Sequence, residues 1–147
     1  MRRAVALDPV LDFLRLLWSI EHGLQRISKR MERARGITGP QRLVLRVVGR
    51  FPGISANELA HIVRLHPSTI TGIVQRLVAR GLLERRSDAA DRRRVRLRLR
   101  PRGRAHTRTT RGTAEHAVRQ ALAAARAADV RAARRILGAL ARRLDVP

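Results

Sequence analysis

The 147 residues include no cysteine and no tyrosine, and lysine occurs once, at Lys29. Without cysteine, disulfides, thiolate nucleophiles, thiol redox sensing and cysteine-ligated zinc are all excluded. Aromatic residues make up 2% of the chain, as Phe13, Trp18 and Phe51. The stacking platforms with which many proteins hold single-stranded nucleic acid are therefore missing, and the core must be built from Leu, Ile, Val and Ala. No long apolar run exists either: Asp8, Asp12 and Arg15 interrupt the first hydrophobic stretch. Neither a signal peptide nor a membrane span fits, so the expected compartment is the cytoplasm, with no membrane partner. The histidines are His22, His61, His66, His106 and His116, and none sits in an H-E-x-x-H spacing. With no glycine-rich phosphate loop, no G-x-S-x-G and no carboxylate cluster, the expectation is no metal, no cofactor and no enzymatic activity.

Acidic residues are scarce beside basic ones, 11 against 33, for a formal charge of +22. GC-rich codons favour Arg and Ala, but they do not forbid Asp and Glu, so the imbalance needs a physical reason. Its distribution supplies one. Residues 1–40 and 113–147 are each net +4, residues 41–80 net +5, and residues 81–112 net +9. A polyanionic partner is the direct reading of such a focus.

The stretch before that focus explains what kind of polyanion. Ser55-Ala-Asn-Glu58 has the spacing of a capping box, with Leu59, Ile62 and Val63 following at helical intervals. His66 stands at a second cap position, and Pro67 suits the first helical turn because its missing N–H would be unpaired there. Ile70, Ile73, Val74, Leu77 and Val78 make one apolar stripe. Ser68, Thr71, Gly72, Gln75 and Arg76 share the other face, which is small, polar and nearly uncharged at its start. Groups of this kind reach base edges and phosphates. Gly81 is placed to close the helix in the left-handed conformation. Residues 82–86 then read as a strand, residues 87–93 as a polar turn, and residues 94–99 as a strictly alternating strand. In that strand Val95, Leu97 and Leu99 face inward and Arg94, Arg96 and Arg98 outward. Helix, turn, helix and basic hairpin together read as a winged helix-turn-helix.

On either side lie helices. Val10, Phe13, Leu17, Ile20, Leu24, Ile27 and Met31 step by three and four over residues 10–34, and Gly36 ends that helix. Thr38 and Gln41 form a capping box for the next, with Leu43, Val44, Val47 and Val48 as its buried face. Phe51-Pro-Gly-Ile54 breaks it, and a short strand near Ile54 is placed to pair with the hairpin. After Pro101 the pattern predicts a second long helix, bent at Gly112 and carrying Ala114, Ala117, Val118, Ala121, Leu122 and Ala125. A last helix, capped by Asp129, carries Val130, Ala133, Leu137, Leu140 and Leu144. Terminal helices with such seams suit packing across a two-fold axis. The expected fold class is thus mainly α with a small β-hairpin: a winged helix-turn-helix with long N- and C-terminal dimerisation helices. Residues 38–100 form the DNA-binding region, and residues 1–37 and 101–147 one intertwined helical dimerisation region.

At these motifs the sequence resembles the MarR family of bacterial transcriptional regulators. The strongest stretches are Leu65-His-Pro-Ser-Thr-Ile-Thr-Gly-Ile-Val-Gln-Arg-Leu77, Arg80-Gly-Leu-Leu-Glu-Arg-Arg86 and Asp88-Ala-Ala-Asp-Arg-Arg-Arg94. The resemblance implies a homodimer whose terminal helices form the interface and whose winged modules read a pseudo-palindromic operator in double-stranded DNA. Carried onto this chain, the DNA-binding residues are Pro67, Ser68, Thr69, Thr71, Gly72, Gln75 and Arg76 on the reading helix and Arg92, Arg93 and Arg94 on the wing. Arg92 or Arg93 is the expected minor-groove residue, and Asp88 and Asp91 are expected to fold the wing by pairing with arginines. Arg100 departs from the pattern, standing where the family often has a helix-capping Thr. Many relatives bind small anionic aromatics between the dimer helices and the reading module. Trp18, His22 and Arg26 are the positions for such an effector here, although the stronger reading has Trp18 in the core and His22 and Arg26 partly exposed. The expectation is a homodimeric repressor, and the alternative is a basic architectural protein that coats DNA without an operator.

Overall fold

The computed structural model describes residues 7–144. Its elements, in order, are α1 (Pro9–Arg35), α2 (Gly39–Arg50), α3 (Ala56–Val63), α4 (Pro67–Ala79), β1 (Leu83–Ser87), β2 (Val95–Leu99), α5 (Pro101–Arg108), α6 (Ala114–Ala123) and α7 (Ala127–Leu144). The chain divides into two compact units at Thr113 and Ala114. The first holds α1–α5 and the hairpin, the second α6 and α7.

Local signals start and stop these helices. Asp8 caps α1 by accepting from the N–H groups of Val10 and Leu11. Thr38 with Gln41, and Ser55 with Glu58, form complete capping boxes at α2 and α3, each relieving backbone donors that the first turn leaves unpaired. Gly36 ends α1 at φ 69°. After α4, Gly81 turns at φ 70° while its N–H bonds the Val78 carbonyl and the Leu82 N–H bonds that of Leu77. That pair of bonds is the Schellman arrangement, which a glycine enters without steric cost.

The core of the first unit gathers Met31, Ile37, Val44, Leu45, Val48, Ile54, Leu59, Ile70, Ile73, Val74, Leu77, Leu82, Leu83 and Leu97. Each such side chain stabilises the fold by about 1.5–3 kcal/mol when fully buried. The strands pair antiparallel, Leu83 with Leu99 through Ser87 with Val95. Ile54 adds a single bridge to Leu97, where the sequence placed a short strand.

Four expectations need correction. On α2, Leu45 is buried and Leu43 is 46% exposed, because the inward row runs through Arg42, Leu45 and Val48, three residues apart. Arg42 is itself buried, and its guanidinium donates to the His106 carbonyl. Val95 is exposed and Arg94 precedes the strand, since the hairpin extends past the core at that end. The helix after Pro101 is not one bent element: α5 stops at Arg108, Thr109 is extended, and Gly112 turns at φ 76° before α6. The Thr109 and Arg111 carbonyls freed by this break accept from the Arg35 guanidinium. Finally, Asp129 lies in the first turn of α7 rather than at its cap, and it holds the Arg126 guanidinium at 2.8 Å.

Along α1 much of the apolar stripe is left uncovered by the first unit's own core, with Val10, Leu11, Phe13, Leu14, Leu16, Trp18, Ile20 and Leu24 all exposed. In the second unit Val118, Leu122, Ile136, Leu137 and Leu144 are exposed as well. Among the described residues no helix is long and apolar enough to cross a membrane.

Candidate nucleic-acid interface

Helix α4 buries Ile70, Ile73, Val74 and Leu77, which fixes the opposite face outward. There Pro67, Ser68, Thr69, Thr71, Gln75 and Arg76 are exposed and Gly72 is half-buried between them. The Thr71 hydroxyl donates back to the Pro67 carbonyl at 2.9 Å, so what it offers a ligand is its lone pairs. At the cap, His66 Nδ1 lies 3.2 Å from the Ser68 N–H and 2.6 Å from the Ser68 hydroxyl. A Cβ at Gly72 would meet only the end of the Arg76 side chain, at 3.7 Å. The face is therefore low and crowned by hydrogen-bonding groups over its whole length.

The wing tip is folded by its two aspartates. Asp88 accepts from the Ala90 N–H at 2.9 Å and from the Arg96 guanidinium at 2.8 Å. Asp91 accepts from the Arg93 N–H at 3.0 Å and lies 3.4 and 3.7 Å from the Arg93 and Arg94 guanidinium groups. The Ala90 N–H foremost, then Arg96, hold the Asp88 carboxyl below the usual carboxylate range. Arg92 and Arg93 stand out from this turn, the Arg93 side chain 94% exposed. Arg92 makes no ion pair among the described residues. Arg93 and Arg94 also line a groove of about 500 Å³ between the wing and the start of α3, together with Ser55, Glu58, Arg85 and Arg96.

Arg96 behaves differently from its neighbours Arg94 and Arg98. The alternation pattern puts all three outward, but Arg96 is half-buried and bonds Asp88, the Gly53 carbonyl at 3.2 Å and, at 3.9 Å, Glu58. It ties the wing to the loop before α3 and to the α3 capping box. Within that box the Ser55 N–H, then its hydroxyl, keep the Glu58 carboxyl below its ordinary range, with Arg96 adding to the effect. Sequence reasoning also passes over Arg85. Its signal is the strand register, which pairs Arg85 with Leu97 and sets it beside the groove.

Among the described residues of the first unit, the proposed effector positions are not brought into an enclosed site. Trp18 is 64% exposed and is not core, and His22 and Arg26 are exposed too. At α5, Arg100 takes the cap position without any side-chain bond, consistent with its departure from a capping Thr. No three histidine or carboxylate side chains converge among the described residues.

Comparison with known proteins agrees with this geometry. Residues 35–94 match the family model described as MarR family. A solved MarR family transcription regulator is 28% identical, with a TM-score of 0.65 over 92% of this chain and 87% of its own. A Mycobacterium tuberculosis MarR family protein solved with p-aminosalicylic acid is 25% identical, with a TM-score of 0.56 over 86% of this chain and 95% of its own. The Staphylococcus aureus MepR–DNA complex shares the fold at 17% identity, with a TM-score of 0.73 over 90% and 98%. No curated protein sequence matches. The helix-turn-helix and wing, within residues 35–94, are thus similar to those of the MarR family, and the fold is shared with these structures over most of the chain's length.

Proposed function

We propose that this protein is a sequence-specific DNA-binding transcriptional regulator, a homodimeric repressor of a pseudo-palindromic operator. One observation carries the reading: the polar outer face of α4, uncharged at its start, stands beside a wing whose exposed charged side chains are all arginine. A uniformly basic surface would hold any duplex. A hydrogen-bonding face of helical width flanked by guanidinium groups can distinguish bases as well. In this reading Ser68, Thr69, Thr71, Gln75 and Arg76 enter the major groove, and Pro67 and Gly72 keep the backbone close. Arg92 or Arg93 enters the adjacent minor groove, and Arg94 meets phosphate.

The winged region, residues 38–100, does the reading, and the helical regions before and after it dimerise. The uncovered apolar side chains of α1, and separately those of α6 and α7, support this assignment, because so much exposed Leu, Ile and Trp is costly in a monomer. Two reading helices on a two-fold axis would meet half-sites about one helical turn apart. Repression is then steric, and an effector acts by favouring a dimer whose reading helices are wrongly spaced. A small anionic aromatic at Trp18, His22 and Arg26 is the effector this reading expects, supported by the p-aminosalicylic acid complex of a relative.

The exposed Arg85, Arg92 and Arg98 favour a second reading, an architectural protein that binds duplexes without selecting them. Selection from a random duplex pool at near-physiological salt separates the two. A recovered pseudo-palindrome supports the operator reader. Enrichment without a motif, with affinity that collapses in salt on every duplex alike, supports the architectural protein.

A further inference from the structure

The cap of the reading helix is an imidazole, and its bonding geometry is that of an acceptor. Both hydrogen-bond donors of Ser68 converge on one nitrogen, the Nδ1 of His66: the backbone N–H at 3.2 Å and the hydroxyl at 2.6 Å. A backbone N–H can only donate, so Nδ1 accepts, and an imidazole nitrogen accepts only when it carries no proton. In this state the ring is neutral with its proton on Nε2. The Ser68 hydroxyl has turned its one hydrogen inward, and only lone pairs remain for an outside partner.

Protonation reverses that arrangement. Nδ1–H becomes a donor, the Ser68 oxygen accepts from it, and the hydroxyl hydrogen is released outward. The Ser68 N–H loses its acceptor at the same time, at a helix end where backbone N–H groups already favour an anion. A phosphate oxygen answers each of these changes: it accepts from the freed hydroxyl and from the bared N–H, and it pairs with the new imidazolium. A Ser, Thr, Asn or Asp cap would accept at every pH near neutrality and offer no such reversal.

Resting on the reading of α4 as the DNA-reading helix, we propose that His66 sets the hydrogen-bonding sense of Ser68, so that duplex binding takes up a proton at the start of that helix. His66 and Ser68 are both exposed, and among the described residues the ring bonds only Ser68. The elements packed against α4 are α2, α3 and β1. On α3, Glu58 is held in its capping box, and His61 and Arg64 are exposed. On α2, Arg42 and Arg46 donate to the His106 and Thr107 carbonyls, and Arg50 lies over the Phe51 ring. On β1, Glu84 pairs with Arg86, and Arg85 lines the wing groove. On α4 itself, Arg76 and the cap residue Arg80 lie towards the far end.

The test is the affinity of the full-length protein for its selected duplex between pH 5.5 and 8 at fixed salt. It is paired with calorimetry in two buffers of different ionisation enthalpy, which reads protons taken up on binding. The wild type is expected to tighten as pH falls, by up to about tenfold per pH unit for each reading helix. His66→Asn keeps a strong cap and is expected to bind while losing most of that slope and its proton uptake. Ser68→Ala is expected to keep only the part of the slope due to charge. His61→Asn and His106→Asn are expected to retain the wild-type profile. A His66→Asn profile identical to the wild type, a flat wild-type profile, or a slope that vanishes with His61 or His106 instead overturns the proposal. Failure of every variant and the wild type to prefer any duplex overturns the operator reading beneath it.

Discussion

Gly103 is the position where adding one methyl group tests the packing of the fold most directly. It is buried in α5, and a Cβ there would lie 2.1 Å from the Leu82 carbonyl oxygen and 3.0 Å from its carbon. Ordinary carbon–oxygen contacts are about 3.3–3.6 Å, so α5 would have to retreat by about 1 Å. It is not free to do so. The same Leu82 carbonyl accepts from the Arg100 N–H at 3.0 Å, and the Arg102 and Arg104 guanidinium groups reach the Arg80 and Leu99 carbonyls. Overpacking of this kind costs about 1–3 kcal/mol, and a lost hydrogen bond about 0.5–1.5 kcal/mol more. Alanine returns about 1 kcal/mol through helix propensity. The net for Gly103→Ala is a loss of about 1–3 kcal/mol, or a fall in Tm of roughly 3–10 °C at this chain length. Thermal unfolding followed by circular dichroism, at one protein concentration for both proteins, measures it, and Gly103→Ser is expected to lose at least as much. An alanine variant as stable as the wild type would show that α5 does not pack on Leu82 as described.

Three further outcomes follow from the same geometry. Arg92→Ala with Arg93→Ala is expected to weaken binding to every duplex and to lower the slope of log affinity against log salt by roughly one for each phosphate no longer neutralised; an unchanged slope removes the wing from the interface. Gln75→Ala is expected to alter the recovered duplex motif more than it alters nonspecific affinity, and equal losses on all duplexes would exclude base reading by that side chain. His106 is held below the ordinary imidazole range, first by burial and then by the charges of Arg80, Arg102, Arg35 and Arg42. The unfolded chain therefore takes up a proton that the folded chain refuses, so its contribution to stability is present above the ordinary value of about 6.5 and is lost as pH falls below it. Urea unfolding of His106→Gln between pH 7.5 and 5.5 is expected to show a flatter stability profile than the wild type.

What is legible in the sequence is mostly what a few adjacent residues decide together. The Thr38 and Ser55 capping boxes, the glycine ends at Gly36 and Gly81, and the stripe of α4 are all local matters, and each stands where its pattern places it. Errors arise where distant chain segments decide which side is inside. Strict alternation in residues 94–99 cannot tell that the hairpin outruns the core at Val95, or that Glu58 and the Gly53 carbonyl cover Arg96. Leu43 outranks Arg42 in hydropathy, yet α2 turns Arg42 inward because the His106 carbonyl waits there. The break between α5 and α6 is obscured because alanine-rich sequence beyond it extends the helical pattern. The outward face of α4 is legible for a simple reason: its other face is unambiguously apolar.

The internal arginines bear on how the charge of +22 is divided. Arg80, the C-terminal cap of α4, donates to the carbonyl of Gly36, the cap of α1, and Arg102 donates to the Arg80 carbonyl at 3.4 Å. Arg35, Arg42 and Arg46 reach the carbonyls of Thr109, Arg111, His106 and Thr107 around the end of α5. Helix C-termini leave carbonyls unpaired and carry partial negative charge, and a planar guanidinium with several donors bonds two such groups at once where an ammonium serves as a point charge. So a share of the arginine excess is internal joinery, which a codon bias alone does not account for. A second share, Arg85, Arg86, Arg92, Arg93, Arg94 and Arg98, is exposed on the wing. The same division bears on how α4 is placed. The ends of α1 and α4 are joined by the bond from the Arg80 guanidinium to the Gly36 carbonyl. In the proposed dimer, that bond gives a shift of α1 a direct point of contact with the end of α4.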